Sequence, residues 1–393
     1  MRLITGILFW SIASFAYITP AAATEGAPIT VEFGKRYSLY SEILGEERQV
    51  LVRVPDGYVS SDVSTRYPVI YFVDREKFIV QGSVAVSILE FAQQLPKSIV
   101  VVFPSNHGTQ VRDLRAEKDR FYRFIGEELF AFIDANYRSS DLKTLFGHSI
   151  GGYFTLSVLA DQPQLFDNYI AASPAIATWN GEVVSKIEHL FTESAANNKS
   201  LFLTMTEAAE DGQENSDTMK RMVALLEQKA PETFKWRYDF IGEQVHRSTS
   251  FPSLYQGLSY IFSDYQAPSY LSTQAFEEAE GFPALKAFFA RRTVKYGTEE
   301  GVPQAKLRQI AYLYRDEGMH EQAITFFKRN AEKYPERPRV YKSLGDGYAA
   351  AGKLSMALES YQRAVKLAGE QGDEDVNWFT RTLRRLEERM AQE

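Results

Sequence analysis

The sequence predicts an α/β protein, a mostly parallel sheet covered by helices on both faces, followed by an all-α repeat region. Three observations predict it. Continuous apolar runs such as Pro68–Val73 and Ser98–Phe103 suit strands buried on both faces. These runs alternate with stretches that are apolar at helical spacing, the pattern of parallel strands joined by crossover helices. After about residue 303 strand candidates stop and a 34-residue period begins.

The elements follow in order. Arg48–Val54 alternates, with Val50, Leu51, Val52 and Val54 apolar, inside a strand-rich stretch from about 35 to 103. A helix is expected over 84–95. Phe121, Phe124, Ile125, Leu129, Phe132 and Ile133 mark one face of another. Later strands are expected at Lys143–Phe146, Tyr169–Ala172, Leu201–Met205 and Phe234–Phe240, with helices at 179–192, 215–229 and 251–263.

In the repeat region Leu307, Ile310, Ala311, Tyr314, Gly318, Ala323, Phe327 and Pro335 are followed 34 positions later by Tyr341, Leu344, Gly345, Tyr348, Gly352, Ala357, Tyr361 and Gly369. This is tetratricopeptide spacing, in which small residues let two helices pack closely and aromatics fill the groove between them. Two repeats, at about 304–337 and 338–371, need neighbours to bury their faces. Ala284–Tyr296 is expected to cover one end and Val376–Met390 to cap the other. The expected organisation is a leader at 1–23, an α/β domain at 24–265, a connector at 266–281 and a helical domain at 282–393.

The formal net charge is −7 and no long basic run occurs, which argues against nucleic acid as a partner. Arg2, an apolar Leu3–Ile18 and then Thr19-Pro-Ala-Ala-Ala23 read as a secretory signal peptide cleaved after Ala23. The apolar core is short for a span of about 20 residues, so no stable membrane insertion is expected after cleavage. The chain has no cysteine, hence no disulfide and no thiol nucleophile. An exported, periplasmic protein is expected.

Residues 147–152 read Gly-His-Ser-Ile-Gly-Gly, between a strand candidate and a helix candidate. A strand, Gly-x-Ser-x-Gly and a helix make the context of a nucleophile elbow, with Ser149 as the nucleophile. A serine hydroxyl needs a base to take its proton. Of the five histidines, His246 lies in the loop between the last strand and the following helix, which makes it the expected base. The acid is expected after Leu201–Met205, where Glu207, Glu210 and Asp211 all qualify; Glu210 is chosen by its distance from the strand. The oxyanion hole is expected to use the backbone N–H of Ile150 and a second from the loop Asp74-Arg75-Glu76, at Glu76. Arg112 is a candidate for holding an anionic or catecholate substrate, or else an ion-pair partner. Trp179 is a candidate aromatic wall, or else core. No metal-ligand spacing, phosphate loop or dinucleotide fingerprint occurs, so neither metal nor cofactor is expected.

Tyr67-Pro-Val-Ile-Tyr-Phe-Val-Asp74, Gly147–Gly152, Ser173-Pro174 and His246 with Leu254-Tyr-Gln-Gly-Leu258 together resemble the putative-esterase family of α/β-hydrolases. That family includes siderophore esterases, S-formylglutathione hydrolase and the mycolyltransferases. The likeness covers roughly 35–265, and the tail is similar to that of members carrying tetratricopeptide repeats. The resemblance implies an α/β-hydrolase fold, attack by Ser149, a base at His246, an oxyanion donor near Glu76 and a small-molecule ester substrate, a siderophore-type lactone first. Many relatives have glycine where this chain has Arg75 and Arg247, so substrate choice does not carry over. An acyltransferase with the same Ser–His machinery is the second reading. A silent hydrolase scaffold is the third, with the repeats offering a surface for a protein partner or self-association.

Overall fold

The hairpin of β1 (Lys35–Ser41) and β2 (Glu46–Arg53) opens a single eight-stranded sheet. β3 (Tyr67–Asp74), β4 (Ile99–Pro104), β5 (Ser139–His148), β6 (Asn168–Ala172), β7 (Ser200–Met205) and β8 (Lys235–Phe240) complete it in the order β1-β2-β4-β3-β5-β6-β7-β8. β1–β2 and β2–β4 are antiparallel, and every pairing from β4 to β8 is parallel. This is a computed structural model, and it describes residues 31–392 except 107, 194–195 and 299–300. The expected leader lies outside the described residues.

β3, β4, β6 and β7 are buried at every position. Helices on both faces exclude water from them, and they therefore read as continuous apolar runs. α1 (Phe78–Phe91) and α8 (Ser250–Ile261) cover one face. A Cβ on Gly82 of α1 would lie 2.7 Å from the Phe72 ring, and one on Gly257 of α8 would lie 2.8 Å from Ile170, so both helices ride directly on the strands. The other face carries α2 (Lys118–Arg123), α3 (Phe130–Asn136), α4 (Ile150–Asp161), α5 (Thr178–Leu190) and α7 (Gln213–Lys229), with the four-residue α6 (Ala208–Asp211) just before α7. Phe121, Leu156, Ile187 and Met222 from these helices meet Tyr71, Leu145 and Leu203 from the strands in one apolar core.

Three elements differ from expectation. α1 begins at Phe78 rather than near Val84, because its entry is unmarked: Lys77 stands at the N-cap and makes no capping hydrogen bond. β5 starts at Ser139, since its first half is polar and only part-buried. The helix marked by Phe121–Ile133 is interrupted by a π-helical turn at Phe124–Leu129, and another π-helical turn, Arg112–Ala116, precedes it.

From Gly34 onward the described residues form one compact unit. Beyond β8 and α8 it is all helix: α9 (Thr273–Glu278, inside the expected connector), α10 (Gly281–Tyr296), α11 (Gln304–Asp316), α12 (His320–Lys333), α13 (Pro338–Ala350), α14 (Leu354–Gln371) and α15 (Val376–Met390). α11 and α13 start 34 residues apart, at Gln304 and Pro338, as do α12 and α14, at His320 and Leu354. A Cβ on Gly345 would lie 2.4 Å from the Tyr361 ring, and one on Gly347 2.6 Å from Phe327. α10 joins the region to the sheet domain: Tyr296 donates to Asp264 at 2.7 Å and packs edge-on against Tyr265. Among the described residues no helix is long and apolar enough to cross a membrane.

Candidate active site

β5 ends at His148, and the chain reverses at Ser149 into α4. Ser149 has φ 59° and ψ −117°, a conformation that is costly for a side-chain-bearing residue. Neighbouring backbone holds it there. Its N–H donates to the Ala172 carbonyl at 2.9 Å, and its carbonyl accepts from Tyr153 and Ala175 at 3.0 Å each. The turn is tight enough to need glycine beside it: a Cβ on Gly147 would sit 2.1 Å from the Gly151 carbonyl oxygen, and one on Gly152 would sit 3.0 Å from Pro174.

The Ser149 hydroxyl lies 2.9 Å from His246 Nε2. His246 sits in a short 3-10 turn, His246–Ser248, after β8. Its Nδ1 lies 2.6 Å from Asp211 Oδ1. An ionised carboxylate only accepts, so Nδ1 carries the proton and Nε2 is free to receive one from the hydroxyl. Asp211 Oδ2 accepts from the Thr206 backbone N–H at 2.8 Å. Burial pushes the Asp211 carboxyl up, but the hydrogen bonds from His246 and Thr206 outweigh it and hold the group below the usual carboxylate range.

The expected acid, Glu210, is corrected to Asp211. Glu210 instead accepts from the His246 backbone N–H at 3.1 Å, and so braces the loop rather than the ring. The reason is local: Glu207 to Asp211 make one helical turn, ended by Gly212 at φ 89°, which leaves Asp211 buried at its inner corner. The glycine directly after Asp211 was the sequence signal for that inward turn.

His148 contributes a support that the sequence did not mark. Its Nε2 lies 2.9 Å from the His246 carbonyl and 3.2 Å from the Thr249 hydroxyl, and its ring is 4.8 Å from the His246 ring. A carbonyl accepts, so His148 Nε2–H is the donor. Burial pulls the His148 pKa down to about 4, so the ring is neutral above that pH.

Ile150 is the first residue of α4, and its N–H has no partner within the helix by geometry. The loop after β3 lies beside it: a Cβ on Gly151 would be 3.5 Å from Asp74 Cβ. The Glu76 side chain pairs with Arg36 at 3.0 Å, away from the elbow, so only main chain is on offer from Glu76 there. Asp74 adopts φ 91° and holds the loop through Gln110 and Arg75.

Arg112 is corrected as a substrate anchor. Its guanidinium is committed to Glu46, at 2.7 and 3.1 Å, and to Asp113, at 2.7 and 2.9 Å. That pairing holds the Glu46 carboxyl at about 2. Trp179 is neither core nor covered: it is 44% exposed and meets Tyr153 edge-on at 5.9 Å. Among the described residues no cluster of histidines and carboxylates has the arrangement of a metal site.

A serine on a strand–turn–helix bend, with imidazole and carboxylate in line at the carboxyl edge of a mostly parallel sheet, defines an α/β-hydrolase. More narrowly, residues 41–253 match the family model described as "Putative esterase", more than half of the chain, and the chain belongs to that family. Among curated proteins it is similar to the ferri-bacillibactin esterase BesA of Bacillus subtilis, 41% identical over 81 residues, which span 20% of this chain and 28% of that protein. The match thus spans about a quarter of that relative's length. Among solved structures it is similar to an IroE-like serine hydrolase from Shewanella oneidensis, with TM-score 0.60, 20% identity and coverage of 76% of this chain and 99% of that one. An uncharacterised protein from Capnocytophaga ochracea aligns with TM-score 0.63 and 16% identity over 88% of this chain and 99% of its own. At these identities the two structures speak for the fold alone.

Proposed function

We propose that the protein is a serine carboxylic-ester hydrolase working through an acyl-enzyme. The observation that carries this is the continuous hydrogen-bonded line from Ser149 through His246 to Asp211. Ser149 Oγ attacks the ester carbonyl while His246 Nε2 takes its proton. The alkoxide that forms is met by the N–H of Ile150 and a main-chain N–H of the loop at 74–76, donors fixed before the charge develops. His246 returns the proton to the departing alcohol, and water repeats the sequence to free the acid. Asp211 holds the Nδ1–H tautomer and stabilises the imidazolium.

A relative described as a siderophore enterobactin esterase supports the substrate class, and a siderophore-type ester or lactone is our first candidate. The signal-like start of the sequence supports export to the periplasm. The equal 34-residue offsets of α11 to α13 and α12 to α14 support two tetratricopeptide repeats, placed after a hydrolase domain ending near 265. Such repeats would serve a protein partner or self-association.

The test is turnover of p-nitrophenyl butyrate and of catecholate trilactones by purified protein. Wild type should hydrolyse both, and Ser149→Ala should lose at least about 10³-fold in kcat. Activity on the simple ester without the trilactone would retain the esterase and reject the siderophore substrate. Equal activity in Ser149→Ala would reject both.

A further inference from the structure

Arg112 and Arg115 leave the same π-helical turn after β4, yet they end in opposite situations. Arg112 is saturated by Glu46 and Asp113. Arg115 makes no ion pair among the described residues, and its Nε is buried without a hydrogen-bond partner. Its guanidinium lies 5.4 Å from the centre of the Trp179 ring. A guanidinium set against an indole keeps its charge and its unused donors for a third group.

Trp179 is linked to Ser149 through its neighbours in the chain and in space. The segment leading into Trp179 is tied to the site at Ala175 and at Ala177. Ala175 N–H donates to the Ser149 carbonyl at 3.0 Å. Ala177 N–H donates to Asn215 at 2.9 Å, and Asn215 in turn donates to the Asp211 carbonyl at 2.7 Å. Trp179 packs on Tyr153, one helical turn beyond the nucleophile. The sheet order places the loops after β4 and β6 on either side of the β3 and β5 ends that carry the oxyanion loop and Ser149. Trp179 and Asn180 have φ 50° and 55°, followed by Gly181 at 73°. Left-handed backbone at a bulky tryptophan costs energy, and here it keeps a large ring half exposed beside an unpaired cation.

We propose that Arg115 and Trp179 form a substrate subsite for a carboxylate, so that esters carrying a free carboxylate on the acyl side are preferred. The inference rests on the esterase reading above. The guanidinium would make charge-assisted hydrogen bonds to the carboxylate, and the indole would bound the methylene chain.

The test compares kcat/KM for p-nitrophenyl hemiglutarate, which bears a free carboxylate, with that for neutral p-nitrophenyl valerate, using the full chain. Wild type should favour the hemiglutarate. Arg115→Gln should lower that preference by about tenfold, mainly through KM, and leave the valerate within about twofold. Arg115→Lys keeps the charge without the planar fork and should recover part of it. No preference in wild type, an unchanged ratio in Arg115→Gln, or equal losses on both esters would overturn the subsite. Turnover of neither ester by wild type would overturn the esterase reading instead. In that event calorimetric binding of monomethyl glutarate to Ser149→Ala reads the subsite alone: binding lost on adding Arg115→Gln upholds it, and absent or Arg115-independent binding overturns it.

Discussion

Asp211 and Glu210 are adjacent carboxylates with different work, and the difference is measurable. Asp211→Asn leaves the shape but removes the charge and one of the two acceptor oxygens that serve His246 Nδ1–H and the Thr206 N–H. It should lower kcat by about 10³–10⁴-fold. Glu210→Gln touches only the loop's main chain and should stay within about fivefold. Steady-state turnover of the two variants decides between them. His148 supplies a second contrast. His148→Gln keeps an N–H near the His246 carbonyl, whereas His148→Leu keeps only bulk. If the donor positions the base, kcat should fall about tenfold in the leucine variant, recover in the glutamine variant, and leave KM unchanged in both. The pH profile carries the same signature. Because His148 remains neutral down to about 4, its own protonation should add no proton step to the kcat/KM profile above that pH. The sign for stability follows. A histidine held neutral when folded lets the unfolded chain bind the extra proton, so stability should decline from about pH 6.5 down to about 4 and then level off with respect to this group. His148→Gln should remove that decline, as read by thermal midpoints across pH. Ser149 and His246 were legible in the sequence because a motif and a chain order mark them. The acid was not picked out, because three carboxylates share one loop and the glycine that ends its turn was the one mark that set Asp211 apart.

The elbow works as an element, and its glycines grade its tolerance. A methyl on Gly147 meets the Gly151 main chain at 2.1 Å, which cannot yield without breaking the turn; one on Gly152 meets Pro174 at 3.0 Å; one on Gly151 finds its nearest atom at 3.4 Å. Gly147→Ala should destabilise by about 3 kcal/mol or more, Gly152→Ala by about 1–2, and Gly151→Ala by little. Denaturant melts of the three variants give the order directly. The strands were readable for the same reason that the sheet is stable: burial on both faces leaves no polar position to break the run in β3, β4, β6 and β7. The start of α1 and the π-helical turns near Arg112 were not readable. An uncapped helix start leaves no residue signature, and a π turn shifts the helical period it interrupts. That shift also hid Arg115, since the sequence offers Arg112 and Arg115 equally and only the fold gives one of them to Glu46 and Asp113.

At the scale of the molecule, α10 secures the helical region to the sheet domain through Tyr296, Phe262, Tyr265 and Asp264. None of these residues hydrogen-bonds to Ser149, His246 or Asp211 in the structure. Tyr296→Ala should therefore cost about 3 kcal/mol of stability and leave kcat on a simple ester within about twofold. A large loss of kcat at a temperature where the variant is folded would tie the tail to catalysis. The central claim is chemical and concerns a single oxygen atom. Labelling the full chain with a fluorophosphonate and mapping the adduct by peptide mass spectrometry tests it most directly. The adduct should fall on Ser149, be absent in Ser149→Ala, and form at least about 10³-fold more slowly in His246→Ala. An adduct on another residue, or equal labelling of wild type and Ser149→Ala, would contradict the account.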